Sequence, residues 1–84
     1  MALHTVAAMI NNQQDCIDIL IGTTGNLIIK VFSVHGQFIK TVQKTMQDSE
    51  GKLSVSLAGL SSGNYVANVF KDSLFLHSVR FNKN

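Results

Sequence analysis

Few side chains in these 84 residues are able to do chemistry, and they lie far apart. His4, His35 and His77 fall on separate segments, without the short spacing that lets two imidazoles share a metal ion. They read as an end residue, a turn residue and a strand residue. Cys16 is the single cysteine, so it forms no internal disulfide. A nucleophilic thiolate needs a cation or an imidazole beside it. The charged neighbours of Cys16 in sequence are Asp15 and Asp18, and it reads as a small, half-buried apolar residue. Asp15 and Asp18 are three apart in an extended run, hence on opposite faces and no acid pair. Asp48-Ser49-Glu50 reads as a solvated loop. Ser61-Ser62-Gly63 lacks the strand-to-helix turn of a nucleophile elbow. Gly25 and Gly36 are not followed by a helix that would complete a phosphate cradle. No catalytic residue, metal ligand or cofactor site is assigned, and the chain reads as non-enzymatic.

The elements that carry these residues are organised around 53–70, LSVSLAGLSSGNYVANVF. Val55 and Leu57 alternate with Ser54 and Ser56, the period-two pattern of a strand with one buried face. Ser61-Ser62-Gly63-Asn64 supplies turn chemistry, with Gly63 free to take positive φ. Tyr65, Ala67 and Val69 then restart the alternation on a second strand. Leu60 just before this turn and Tyr65, the only tyrosine, just after it suggest a corner closed by two side chains. In immunoglobulin-like sandwiches a tyrosine at such a corner tucks its ring inward and bonds upstream backbone through its hydroxyl.

The rest of the chain repeats the pattern. Thr5 to Ile10 is a short first strand. Ile17, Ile19 and Ile21 share one face of a second, and Gly22-Thr23-Thr24-Gly25-Asn26 reads as a hairpin connection. Leu27, Ile29 and Val31 point inward on a third strand, with Lys30 outward. Ile28 and Phe32 on its other face suggest a central or doubly covered position. His35-Gly36 occupies the place of a two-residue hairpin turn, which requires positive φ. Gln37 to Met46 returns with poor alternation, the mark of a bulge or an edge. Lys71-Asp72-Ser73 is a turn. Leu74 to Phe81 is a last strand, with Phe75, Val79 and Phe81 on one face and Leu74 and Leu76 on the other. No apolar period of 3.6 persists over two turns. The reading is all-β: an immunoglobulin-like antiparallel β-sandwich of about seven strands. Ile17, Ile19, Ile29, Val31, Val55, Leu57, Tyr65, Val69, Val79 and Phe81 are its expected core.

Residues 1–84 make one domain, which on folding buries about 63% of its unfolded surface. The formal charge is +2, and the seven Lys and Arg form no run with interleaved aromatics. That argues against a nucleic-acid groove. No apolar stretch approaches the ~18 residues of a membrane span. Met1-Ala2-Leu3-His4 lacks the basic start of a secretory leader. The chain is expected to be cytosolic, or a mature piece or fragment of something longer.

One order of features is distinctive: Val31-Phe32-Ser33-Val34-His35-Gly36-Gln37, a polar loop, Leu53-Ser54-Val55-Ser56-Leu57, and Leu60-Ser61-Ser62-Gly63-Asn64-Tyr65-Val66. It resembles the C-terminal sorting domain of the type IX secretion system of Bacteroidetes. Gly36-Gln37 matches that family's hairpin, Gly63-Asn64-Tyr65 its Gly-x-Tyr motif, and Lys83 its terminal lysine. The likeness runs from about Asp15 to Lys83. Where the family usually opens with Pro-Asn-Pro, this chain has Asn11-Asn12-Gln13 and no proline.

The resemblance implies a non-catalytic appendage of a larger secreted protein. The export machinery would be its protein partner, and its destination the cell surface or medium via the periplasm. It implies recognition or motif roles for Gly36, Gly63, Tyr65 and Lys83, with Gly63 shaping the corner, Tyr65 anchoring it and Lys83 exposed and unpaired at the exit. The alternative is a stand-alone secreted or cell-surface module, whose loops or edge strands bind a surface component.

Overall fold

The computed structural model describes residues 6–11, 15–22, 24–47 and 51–84, with the backbone alone for the first of these segments. Its strands are β1 (Val6–Asn11), β2 (Cys16–Ile21), β3 (Gly25–Ser33), β4 (Phe38–Met46), β5 (Lys52–Ser56), β6 (Gly63–Lys71) and β7 (Leu74–Lys83). Two antiparallel sheets result, one in the order β1-β2-β5 and one in the order β4-β3-β6-β7. Together they form an all-β, immunoglobulin-like sandwich.

Period-two alternation builds the core. Ile17 and Ile19 of β2 face in beside Val55 and Leu53 of β5, their register partners. From the other sheet come Leu27, Ile29 and Val31 of β3, Tyr65, Ala67 and Val69 of β6, and Phe81 of β7. Each fully buried Ile, Leu or Val removes enough apolar surface to contribute about 1.5–3 kcal/mol. Of the expected core, Val79 alone is only half-buried, packed against the others from the edge strand β7.

The central position read for β3 is its place in the sheet, between β4 and β6. Its outer-face residues Ile28 and Phe32 are half-buried. The weak alternation of β4 has two causes. It is an edge strand, and its register slips at Val31/Phe32, where Phe32 pairs with Phe38 and Val31 with Lys40. Ile39 is the residue without a partner, and it turns toward the core.

Three expectations need correction. The Gly22–Asn26 segment is no hairpin: β2 pairs with β1 and β5 while β3 belongs to the other sheet, so this connection crosses between layers. The β3–β4 turn is one residue longer than a two-residue hairpin. Gly36 takes φ 86°, but His35 is not among the residues with positive φ. The Gly36 N–H bonds the Ser33 carbonyl at 2.9 Å and the Ser33 N–H bonds the Gln37 carbonyl at 2.8 Å. Val34 and His35 therefore span a tight turn, and Gly36 closes it in the left-handed region.

The third correction concerns β7. Its register against β6 slips at Val69/Phe70, so that Val69 pairs with His77 and Phe70 with Phe75. The extra residue, Leu76, packs on the core, whereas Phe75 is 51% and Leu74 64% exposed. A one-residue bulge exchanges which side chains face in. Asp72 and Ser73 hold positive φ in the turn before β7, the backbone of a two-residue hairpin.

Candidate functional site

All four motif residues expected from the sequence meet at one end of the sandwich. Gly63 opens β6 opposite Lys83, which ends β7, and Tyr65 lies opposite Phe81 two residues in. The β3–β4 turn with Gly36 is tied to the same end by the Val34 N–H, which bonds the Asn64 carbonyl at 3.0 Å. Local chemistry shapes the turn further: Ser33 Oγ accepts from the backbone N–H of His35 at 3.3 Å and of Gln37 at 3.2 Å.

The corner is held as expected. The Tyr65 ring is buried and its hydroxyl donates to the Ser61 carbonyl at 2.5 Å. The ring stacks on Phe81, with centroids 5.6 Å apart and planes 21° from parallel. Gly63 sits at φ 154°, where L residues are strained although a Cβ there would meet nothing within 4 Å. Backbone conformation, not space, is what asks for glycine. Tyr65→Phe removes only the hydroxyl, so the net loss is that of one neutral hydrogen bond. A fall in unfolding free energy of about 1 kcal/mol is expected in urea. An unchanged midpoint would show that water replaces the hydroxyl at the Ser61 carbonyl without cost.

Lys83 is where the structure overturns the sequence reading. The family resemblance implies a lysine exposed and unpaired at the exit. The Lys83 side chain is only 16% exposed, lies 3.6 Å from the Asp15 carboxylate, and donates to the Leu57 carbonyl at 2.6 Å. The cause is the strand period. Val79, Phe81 and Lys83 alternate on the inward face of β7, so the ammonium points across to the other sheet. Leu57 already links these parts, since its N–H bonds the Asp15 carbonyl at 2.9 Å and its carbonyl also accepts from Leu60. Asp15, at φ 52° in the turn before β2, lies outside the strand into which the sequence placed it.

Elsewhere the chemistry-bearing residues are dispersed. His35 and His77 are exposed and apart, while His4 and Asp48-Ser49-Glu50 lie outside the described residues. Among the described residues, no three His, Cys, Asp or Glu gather as a metal site. Cys16 and Asp18 are both buried on the outward side of β2. Ser54 Oγ donates to Asp18 at 2.6 Å, the Cys16 thiol approaches the same carboxylate at 3.5 Å, and Lys52 stands 3.8 Å away. Burial first, then the Asp18 carboxylate, push the Cys16 thiol above its ordinary range. A protonated, buried thiol is a poor nucleophile, consistent with a packing role.

Sequence reasoning gave Val34 and Arg80 no site role. Val34 is 57% exposed between two hollows at this end. One of about 380 Å³ is lined by Val34, Asn64, Val66 and Arg80, and one of about 200 Å³ by Ser33, Val34, His35 and Asn64. Their only sequence signal is an apolar residue inside a turn and a cation on an edge strand.

The fold and this end define a small all-β sandwich whose distinctive residues set backbone shape and packing at one end. A family model described as the secretion system C-terminal sorting domain matches residues 11–79. The chain belongs to that family, the C-terminal sorting signals of type IX secretion. Gly36, Gly63 and Tyr65 fall within the matched segment, and Lys83 lies beyond it. No curated protein matches the chain. Membership implies dealings with the export machinery and a destination outside the cytoplasm. No helix among the described residues is long and apolar enough to cross a membrane.

Proposed function

We propose that the chain is a single non-catalytic domain carried by a secreted protein and read by the type IX machinery at the end built from the β3–β4 turn, the Tyr65 corner and the close of β7. It directs its cargo through the periplasm to the cell surface or medium. The family match over residues 11–79 carries this reading, and the gathering of Gly36, Gly63, Tyr65 and Lys83 at one end supports it. Gly36 and Gly63 set backbone shape, Tyr65 locks the corner, and Lys83 fixes the end of β7 to the other sheet.

The test is a reporter fused ahead of the full chain in a type IX-competent cell. Surface display is expected. Removing Phe81 to Asn84 takes away the Tyr65 stack and the Lys83 anchor together, and the reporter is then expected in the periplasm. Periplasmic retention of the intact fusion, beside a working sorting domain from another cargo, would defeat the sorting role and favour a surface-binding module.

A further inference from the structure

The outer face of the β4-β3-β6-β7 sheet combines apolar side chains with charge of one sign. Strand register lines up Phe38, Phe32, Val66 and Arg80 as one row across the four strands. Beside it run Thr41, Lys30, Asn68 and Ser78, and beyond them Gln43, Ile28, Phe70 and Phe75. Phe38 is 55% exposed and meets Phe32 edge-to-face at 5.8 Å. Val34 extends the first row at the rim, between the two hollows.

Every charge on this face among the described residues is positive. Lys30 and Arg80 are exposed, and neither has a carboxylate in reach among the described residues. Lys30 rests its ammonium 5.3 Å from the centre of the Phe70 ring. Asp15 and Asp18 belong to the other layer, and Asp72 to the β6–β7 turn. A second copy of this chain would bring Arg80 and Lys30 against their own likenesses, which is repulsive. Charge complementarity selects an anionic partner, and the apolar row selects one that also brings aliphatic or aromatic groups.

We propose that this face, centred on Val34, Phe32, Phe38, Val66 and Arg80, docks an extended segment of an export-machinery protein that carries carboxylates among apolar side chains. The inference rests on the sorting role and names the surface that serves it. A carboxylate of the segment pairs with the Arg80 guanidinium, which suits bidentate recognition. Apolar neighbours on the segment cover Phe38 and Val34 and fill the hollow between Val34 and Val66.

Two eight-residue synthetic peptides serve as probes, one alternating Glu with Leu and one alternating Lys with Leu. With the full chain labelled for amide spectroscopy, the Glu peptide is expected to shift Val34, Val66 and Arg80, and to bind at least tenfold more tightly than the Lys peptide. Arg80→Glu is expected to reverse that order. The residue is exposed, so an unchanged urea midpoint will confirm an intact fold. In the reporter fusion, Arg80→Glu is expected to lower surface display at least tenfold. Equal binding of the two peptides, no binding, or full display of the Arg80→Glu fusion overturns the proposal. So does concentration-dependent dimerisation through this face, or tighter binding to phosphatidylglycerol–phosphatidylcholine vesicles than to the Glu peptide. Display of the parent but equally of Arg80→Glu removes the surface and leaves the sorting role standing. If the parent itself is retained, the sorting role fails and the peptide comparison alone decides the face.

Discussion

Phe81→Ala is expected to cost about 3–5 kcal/mol of folding stability, the range for deleting a buried aromatic ring. Three losses combine. The ring is buried on the inward face of β7, so its removal takes apolar surface from the core and leaves a cavity there. Tyr65 loses its stacking partner at 5.6 Å, a contact worth about 0.5–1.5 kcal/mol beyond burial. The edge strand β7 also loses its deepest anchor. A domain of this size has on the order of 5–15 kcal/mol in total, so the variant gives up a large share of its stability and its melting temperature should fall well below that of the parent. Urea or thermal melts check this directly. A cost below about 1 kcal/mol would mean that the closed end is not packed as described.

Lys83→Met keeps the aliphatic stem and removes the charge, and about 1.5–3 kcal/mol is expected to go with it, the worth of a charged hydrogen bond. Two contacts compete for the credit. The Asp15 pair is 3.6 Å long with a half-exposed carboxylate, and such pairs contribute about 0–1 kcal/mol. The bond to the Leu57 carbonyl is 2.6 Å and shielded, so it should dominate. Asp15→Asn is then expected to cost well under 1 kcal/mol, and added salt to change little. If Asp15→Asn proves as harmful as Lys83→Met, the ion pair carries the effect and the ranking is wrong.

Much of the fold was legible because it is written in a local period. Val55 against Ser54, and Tyr65, Ala67 and Val69 against their polar neighbours, declare one buried face each without knowledge of any partner. The tyrosine corner was legible for the same reason, since its acceptor lies only four residues upstream. What stayed hidden depends on distant strands. Whether Gly22–Asn26 turns back or crosses over depends on β5 pairing with β2, which no local pattern records. A bulge leaves no signature in composition, so Leu76 and Phe75 were exchanged. The inward course of Lys83 was present in the alternation with Val79 and Phe81. A lysine on that face reads as tail, because its carbonyl partner is 26 residues away. Gly36, Gly63 and Tyr65 stood out as residue types, whereas Val34 and Arg80 acquire meaning only from their neighbours across the sheet.

The place of β7 sets a schedule. Among the described residues only β6 pairs with it as a strand, and it supplies both the ring beneath Tyr65 and the ammonium at Leu57. A chain emerging from its amino end can pair β3 with β4 and then with β6, but the closed end must wait for residues 74–83. Until they arrive, β6 is an open edge and the Tyr65 ring lacks its lid. A chain cut before β7 would keep the other strands of this sheet and lose the ring that covers Tyr65 and the ammonium that ties the two sheets together. That end of the sandwich is therefore all-or-none, finished by its last strand or absent.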